Sequence, residues 1–375
     1  MGGLGQLSKL PPEILEQILD GLCVHHVHDL QDYVGEWSFE PYASRGHQYK
    51  DVTASFTGLA SLCRASKYLN QLTTWRLYHS LIGQKTILGW ALIARTLIRR
   101  QDLAALVRHL SVEYLEKRTD HSFLPPEVES YFAEQVALTP DVGLKADSLT
   151  RSELGDSASE AAAALLTSLC PNLLTAKFAS QIDPGLPVAL GLCPPGSLRS
   201  LRDAQILHSD PELEVGFDLS VFARLFRAAP NIKLLRLIHA SCSQPLEEGL
   251  KLENVTDLEL LSSCMSGDDL AHILRLCPNV QRLQYVCGPL YEDDQFNPHE
   301  AVAIVLEHGP KLQRFELDLT DWLGYDHWDE DDILEAKGVL ERNRAVDCVF
   351  RPTRTLTSAI ILCQTGQGTV EVSRQ

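Results

Sequence analysis

The chain holds 375 residues, 45% of them hydrophobic and 22% charged, a balance that excludes a disordered or collagen-like polymer. That length admits two or three domains or one quasi-linear array. A net charge of −17, from 33 Lys and Arg against 50 Asp and Glu, excludes a nucleic-acid binder that works by neutralising phosphates, because such surfaces need clustered cations. The acidity is uneven. Residues 1–118 hold 13 Lys/Arg and 11 Asp/Glu, whereas 119–375 hold 20 and 39, so two parts with different surfaces are expected.

In chain order, Leu7 to Glu13 leads into Ile14, Leu15, Ile18, Leu19 and Leu22, whose spacings of three and four mark a helical stripe. Pro11 and Pro12 suit the opening of that helix, where a missing N–H loses no partner. A polar segment at about 29–56, broken by Gly35, Pro41 and Gly46, reads as an inserted loop. A second stripe follows through Phe56, Leu59, Leu62, Cys63, Tyr68, Leu69 and Leu72, and a third segment runs from Trp75 to Leu88. Together these predict a helical domain over 1–88. It is too small to bury much by itself and is expected to dock on a partner or on the domain that follows.

The apolar stretch at 87–98 is interrupted by Arg95 and falls short of the ~20 residues a membrane-spanning helix needs. The opening MGGLGQLSKL lacks the apolar core of an export signal, and Gln6 stands where a myristoylation signal has Ser or Thr. A soluble chain of the cytoplasm or nucleus is the expectation, with no membrane or nucleic-acid partner. The ten cysteines include no C-x-x-C pair and sit largely among apolar neighbours, so buried free thiols are expected in place of disulfides or zinc ligands.

Beyond about 105 the sequence repeats. The unit is an apolar residue, two variable ones, an apolar one, one variable and usually another apolar one. It occurs at Val107-Arg-His-Leu110-Ser-Val112, Leu173-Leu-Thr-Ala176-Lys-Phe178, Leu198-Arg-Ser-Leu201-Arg-Asp203, Ile232-Lys-Leu-Leu235-Arg-Leu237, Val255-Thr-Asp-Leu258-Glu-Leu260, Val280-Gln-Arg-Leu283-Gln-Tyr285 and Leu312-Gln-Arg-Phe315-Glu-Leu317. After a first step of 66 residues, the steps of 25, 34, 23, 25 and 32 bracket the period of a leucine-rich repeat, about 20–29. Four copies follow a helix-like run closed by Pro-Asn or Pro-Lys: LLTSLCPNL (165–173), LFRAAPNI (225–232), ILRLCPNV (273–280) and VLEHGPKL (305–312). Proline cannot continue the helix, so each junction turns the chain into a strand. The long first step contains LPPEVES (124–130) and a Ser/Asp/Glu-rich stretch at 147–160, and reads as an insertion. The predicted class is α/β, an irregular solenoid of six or seven units over 105–350, with 351–375 as a tail or cap.

Chemistry finds little support. His25-His26-x-His28 lacks a spaced Cys or Asp partner, the run Asp326–Asp332 lacks the turn glycine of a calcium loop, and Tyr291–Asp294 reads as a similar solvated loop. Gly366-Gln-Gly368 has no helix after it to cradle phosphate, and no G-x-S-x-G occurs. A catalyst, a cofactor and a metal are therefore not expected.

Leu10-Pro-Pro-Glu-Ile-Leu-Glu-Gln-Ile-Leu19 together with the segment 59–72 resembles an F-box. Leu10, Pro11, Glu13, Ile14, Ile18 and Leu19 match its opening, Leu59, Leu62, Cys63, Ser66, Lys67, Leu69 and Leu72 match its second part, and Trp75 to Tyr78 resembles its closing element. The two parts are normally close together, whereas here residues 29–56 intervene. Followed by repeats, the arrangement is similar to the substrate receptors of cullin-RING ubiquitin ligases. The resemblance implies docking on a Skp-type linker and its cullin scaffold through Leu10, Pro11, Pro12, Glu13, Ile14, Ile18, Leu59, Leu62, Cys63 and Leu69. It also implies a repeat domain that holds the protein to be ubiquitinated, without bond chemistry of its own. A repeat scaffold outside any ligase is the alternative.

Within each repeat strand, alternation sends every second side chain away from the core. That places Ser111, Lys177, Arg202, Arg236, Glu259, Gln284 and Glu316 on one open row, with Asp318 beside it, as candidates for holding the substrate. Given the acidity, a substrate with a basic patch is expected.

Overall fold

The computed structural model describes residues 10–23, 45–82, 87–112, 126–138, 163–180, 192–208, 217–242, 249–263, 265–288, 298–318, 338–339, 347–351 and 361–363. The segments 25–28, 147–160, 291–294, 326–332 and 366–368, singled out in the sequence, lie outside the described residues. The chain forms two compact units, Met1–Phe178 and Ala179–Gln375, a division later in the chain than the 88–105 junction read from the sequence.

The first unit opens with α1 (Pro12–Asp20). Pro12 occupies its first position, the Pro11 carbonyl accepts from the N–H groups of Ile14 and Leu15 at 3.1 Å each, and Glu13 sits in the first turn, where the helix dipole favours an anion. Helix α2 (Arg45–Ala65) begins well before Phe56, so the predicted loop at 29–56 is helical from Arg45 onward. Past Gly46, in the first turn, no Gly or Pro interrupts the chain until Gly58. Ser66 then divides what the sequence suggested was one continuous stripe. Its backbone is extended (φ −160°, ψ 159°) and its hydroxyl accepts from the Leu69 N–H at 3.1 Å, capping α3 (Lys67–His79).

Strand β1 (Ser80–Leu81), α4 (Ile87–Arg99), α5 (Gln101–Ala104), β2 (His109–Val112), α6 (Pro126–Leu138), α7 (163–169) and β3 (Thr175–Ser180) complete this unit's described elements. β1, β2 and β3 run parallel, with Leu81 opposite Leu110 and Ser111 opposite Lys177. The apolar stretch at 87–98 becomes α4, whose Trp90, Ala91, Ala94 and Leu97 are fully buried. Among the described residues no helix is long and apolar enough to cross a membrane. The Arg108 N–H donates to the His79 carbonyl at 2.9 Å. The last residue of α3, within the stretch read as a helical domain over 1–88, is thus bonded to the residue before β2.

The second unit contains β4 (Asp203–His208), β5 (Phe217–Asp218), α8 (Ala223–Ala228), β6 (Leu234–Ile238), β7 (Ala240–Ser241), β8 (Asp257–Ser263), α9 (Gly267–Leu276), β9 (Arg282–Cys287), α10 (Pro298–His308), β10 (Arg314–Asp318), β11 (Asp347–Arg351) and β12 (Ile361–Cys363). Its main strands lie in the order β4-β6-β8-β9-β10-β11-β12, all parallel except the antiparallel β12, while β5 and β7 pair separately. Leu235, Leu258, Leu283 and Phe315 stand opposite one another across the strands. So do Leu237, Leu260, Tyr285 and Leu317, and all eight are buried. Parallel strands joined by crossover helices bury one apolar face against those helices, which accounts for this core. The class is α/β.

The register confirms the alignment of the copies that begin at Ile232, Val255, Val280 and Leu312, and of the pair Val107 and Leu173. It corrects one copy. Asp203 lies opposite Leu234 and Ala204 opposite Leu235, so that unit begins at Leu201 rather than Leu198. Leu198 and Leu201 are both apolar and three apart, imitating the first half of the pattern, while the true second half uses the small Ala204 ahead of Ile206.

Candidate partner-binding surfaces

The apolar stripe of helix α1 is only partly covered. Leu15 and Leu19 are buried, while Ile14 (42% exposed) and Ile18 (41%), also four residues apart, face outward. Before them Pro11, Pro12 and Glu13 are exposed and Leu10 is half-buried. Of the remaining residues matched to the F-box, Leu62 and Cys63 are half-buried. Leu59 and Leu69 belong to the core at 1% and 2% exposure, so neither side chain is open to a partner. The sequence pattern cannot separate these two from their neighbours, because an apolar stripe reads the same whether a helix or a partner covers it.

A buried arginine holds α1 in place. Arg76, 5% exposed, donates from Nε (2.8 Å) and Nη2 (2.6 Å) to Asp20 at the end of α1, and from Nη1 to the Leu72 carbonyl at 3.1 Å. Its guanidinium carbon lies 4.3 Å from the centroid of the Trp75 ring. Sequence reading took Trp75–Tyr78 as one closing element and missed this pair, whose members are 56 residues apart.

The expected open row on the sheets is largely closed. In the first unit Ser111 and Lys177 are buried; in the second, Arg236 and Asp318 are buried and Glu259, Gln284 and Glu316 half-buried. Parallel pairing in register sets these side chains about 4.8 Å apart, so each shields the next. Arg236 forms an ion pair with Glu259 on the neighbouring strand. Arg202, the remaining candidate, is off the row. It lies one residue before β4, and its Nη1 donates to the Asn231 carbonyl at 3.1 Å, a structural contact. Gln205 holds the position assigned to it, opposite Arg236. The more open row lies two residues earlier, where Arg282 and Arg314 are exposed and Arg282 is ion-paired to Asp257.

The Pro-Asn junctions have a further role that strand alternation does not reveal. Asn172 donates from its side-chain amide to the Ala105 carbonyl (2.9 Å), Asn231 to Arg199 (2.8 Å), Asn254 to Pro230 (3.0 Å) and Asn279 to Glu253 (2.6 Å). Each reaches the carbonyl that precedes the same position in the unit before it. Lys311 ends the series by donating to Asn279 Oδ1 at 2.5 Å. The signal was the recurrence of Asn just before the first apolar residue, including Asn254, which has no proline ahead of it.

Three of the described thiols are poorly suited to chemistry. Burial pushes Cys193 and Cys242 up to about 12 and raises Cys277 as well. Among the described residues no group of three or more His, Cys, Asp or Glu side chains is placed to hold a metal ion.

Compared with known proteins, the chain matches no family model, and no curated protein is significantly similar to it.

Proposed function

We propose that this chain is a non-catalytic substrate receptor of a cullin-RING ubiquitin ligase, an F-box protein whose leucine-rich-repeat solenoid holds the target. The observation that carries the reading is α1. Directly after Leu10-Pro11-Pro12-Glu13 it keeps Leu15 and Leu19 for its own core and presents Ile14 and Ile18 outward. An outward isoleucine pair gains free energy only when something covers it, about 25 cal/mol for each Å² removed from water. In this reading the helix enters the groove of a Skp-type linker. The repeat units then raise the concentration of a bound protein near the conjugating enzyme. Successive parallel strands with buried apolar rungs and an asparagine series suit a solenoid built of nearest-neighbour units.

A co-purification with a Skp-type linker tests it. The wild-type chain is expected to associate, and Leu10→Asp with Pro11→Ala to weaken that association; no association, or undiminished association in the variant, sinks the reading.

A repeat scaffold outside any ligase is the second reading. It is favoured by the separation of α1 from α2 and by the bond between the end of α3 and the residue before β2. Stable complexes in cells that contain no cullin would support it.

A further inference from the structure

On the polar face of the second unit the arginines are largely committed, Arg236 to Glu259 and Arg282 to Asp257. One pair of neighbouring groups on that face is poorly satisfied among the described residues. Asp203 and Gln205 of β4 point to the same side of the strand, about 7 Å apart along it. The Gln205 side chain is 3% exposed, and among the described residues neither its Oε1 nor its Nε2 has a hydrogen-bond partner. The half-buried Asp203 carboxylate makes no hydrogen bond or ion pair among the described residues. Burial pushes its pKa up, against a downward pull from Arg236, with a smaller upward push from Asp257 and a smaller downward pull from Lys233. An orphaned carboxamide beside an unpaired carboxylate weakens a fold, and both defects are cured by one ligand that brings several donors and an acceptor.

We infer that Asp203 and Gln205 form a recognition site for an arginine presented by a partner protein segment. Both Gln205 amide atoms are closed off in the free chain, so on binding its side chain turns outward; the guanidinium then donates to the Asp203 carboxylate and to Gln205 Oε1, while Gln205 Nε2 donates to a backbone carbonyl of the same segment. Arginine suits the pair better than lysine, because its planar fork carries five donors that reach two acceptors at once, and it is less strongly hydrated. The second unit, with 17 Lys/Arg against 30 Asp/Glu, draws such a cation toward it. This deepens the reading of the sheet as a substrate-holding surface and is independent of linker docking by α1.

The test titrates the full chain with N-acetyl-Gly-Arg-Gly amide and with its Lys and Glu counterparts, following the Gln205 side-chain amide by NMR. The arginine peptide is expected to shift that signal, the lysine peptide to bind about tenfold more weakly, and the glutamate peptide not at all. Asp203→Asn and Gln205→Leu are each expected to lower arginine-peptide affinity about tenfold or more, with linker association unchanged. Gln205→Leu is also expected to raise the melting temperature of the free protein, because the orphaned amide is gone. A lower melting temperature would mean that the fold itself satisfies the amide and would overturn the proposal. An arginine peptide that leaves the Gln205 signal unmoved, equal binding of arginine and lysine, or tighter binding of the glutamate peptide would do the same. A chain that passes this test but ignores the linker keeps the site and loses the ligase.

Discussion

Helix α1 and the sheet of the second unit both bury one regular apolar face, and they differ in what they do with the other. On the sheet, the outward charges largely answer one another across strands, Arg236 to Glu259 and Arg282 to Asp257. On α1 the apolar stripe continues past its buried half, with exposed isoleucines at 14 and 18 beside the buried leucines at 15 and 19. A face whose charges are paired within the fold has little left for a partner, except where the pairing fails, as at Asp203 and Gln205. A face of exposed aliphatic side chains holds burial free energy in reserve.

The contrast can be broken first at α1 itself. Leu15→Ala is expected to cost about 2–5 kcal/mol of stability, by leaving a cavity in a closed core, while Ile14→Ala changes it by no more than about 0.5 kcal/mol. Paired denaturant titrations read both values. Equal losses would mean that the two sides of the helix are not distinct.

On the sheet side the asparagine series should matter more than the outward charges. Asn231→Ala removes the donor to the Arg199 carbonyl and is expected to cost about 1–2 kcal/mol. Asn279→Ala removes the donor to Glu253 and the acceptor of Lys311 together, so it should cost at least as much. The exposed ion pair is worth less, about 0–1 kcal/mol for Arg282→Gln. A larger loss at Arg282 than at Asn231 would reverse the ranking.

These results bear on how much the sequence could show. The strand register was legible wherever both halves of the repeat used large aliphatic or aromatic residues, as at Ile232, Val255, Val280 and Leu312. It slipped at Leu198, where a chance Leu-x-x-Leu stood three residues early and the true copy relied on Ala204. The break at Ser66 was hidden because the apolar spacing of Phe56 to Leu72 continues across it, and only the capping hydroxyl marks the stop. The Leu-Pro-Pro-Glu opening pointed to α1, yet which of its aliphatic residues face outward depends on what α3 and Arg76 do from 56 residues away. Alternation told the sheet's inner residues from its outer ones. It could not tell that outer residues in parallel register cover each other.

Thiol reactivity gives a further test. With Cys193 and Cys242 pushed up to about 12, hardly any thiolate exists at pH 8 in the folded chain. Iodoacetamide is expected to label these two positions only after unfolding, as read by mass spectrometry. Rapid native labelling of Cys242 would show that the strand ends of the second unit are open.

The smallest expected effect is at Asp203. Its pKa is raised in the folded chain, so the folded state binds that proton more tightly than the unfolded state does. Its contribution to stability is present below the ordinary carboxylate range and is lost as pH rises through the folded pKa. Asp203→Asn is expected to raise the melting temperature at pH 7 and to leave it near the wild-type value at pH 3. A drop at pH 7 would mean that the carboxylate is satisfied within the fold.

The outward face of α1 is tested most directly by calorimetric titration of a Skp-type linker into the full chain and into the Ile14→Asp, Ile18→Asp double variant. The expected result is binding by the wild type and a loss of at least about 100-fold in the variant, since two charges would enter an apolar groove. The melting temperature should fall by only a few degrees, because neither side chain belongs to the buried core. No binding by the wild type, or equal binding by the variant, would contradict the account.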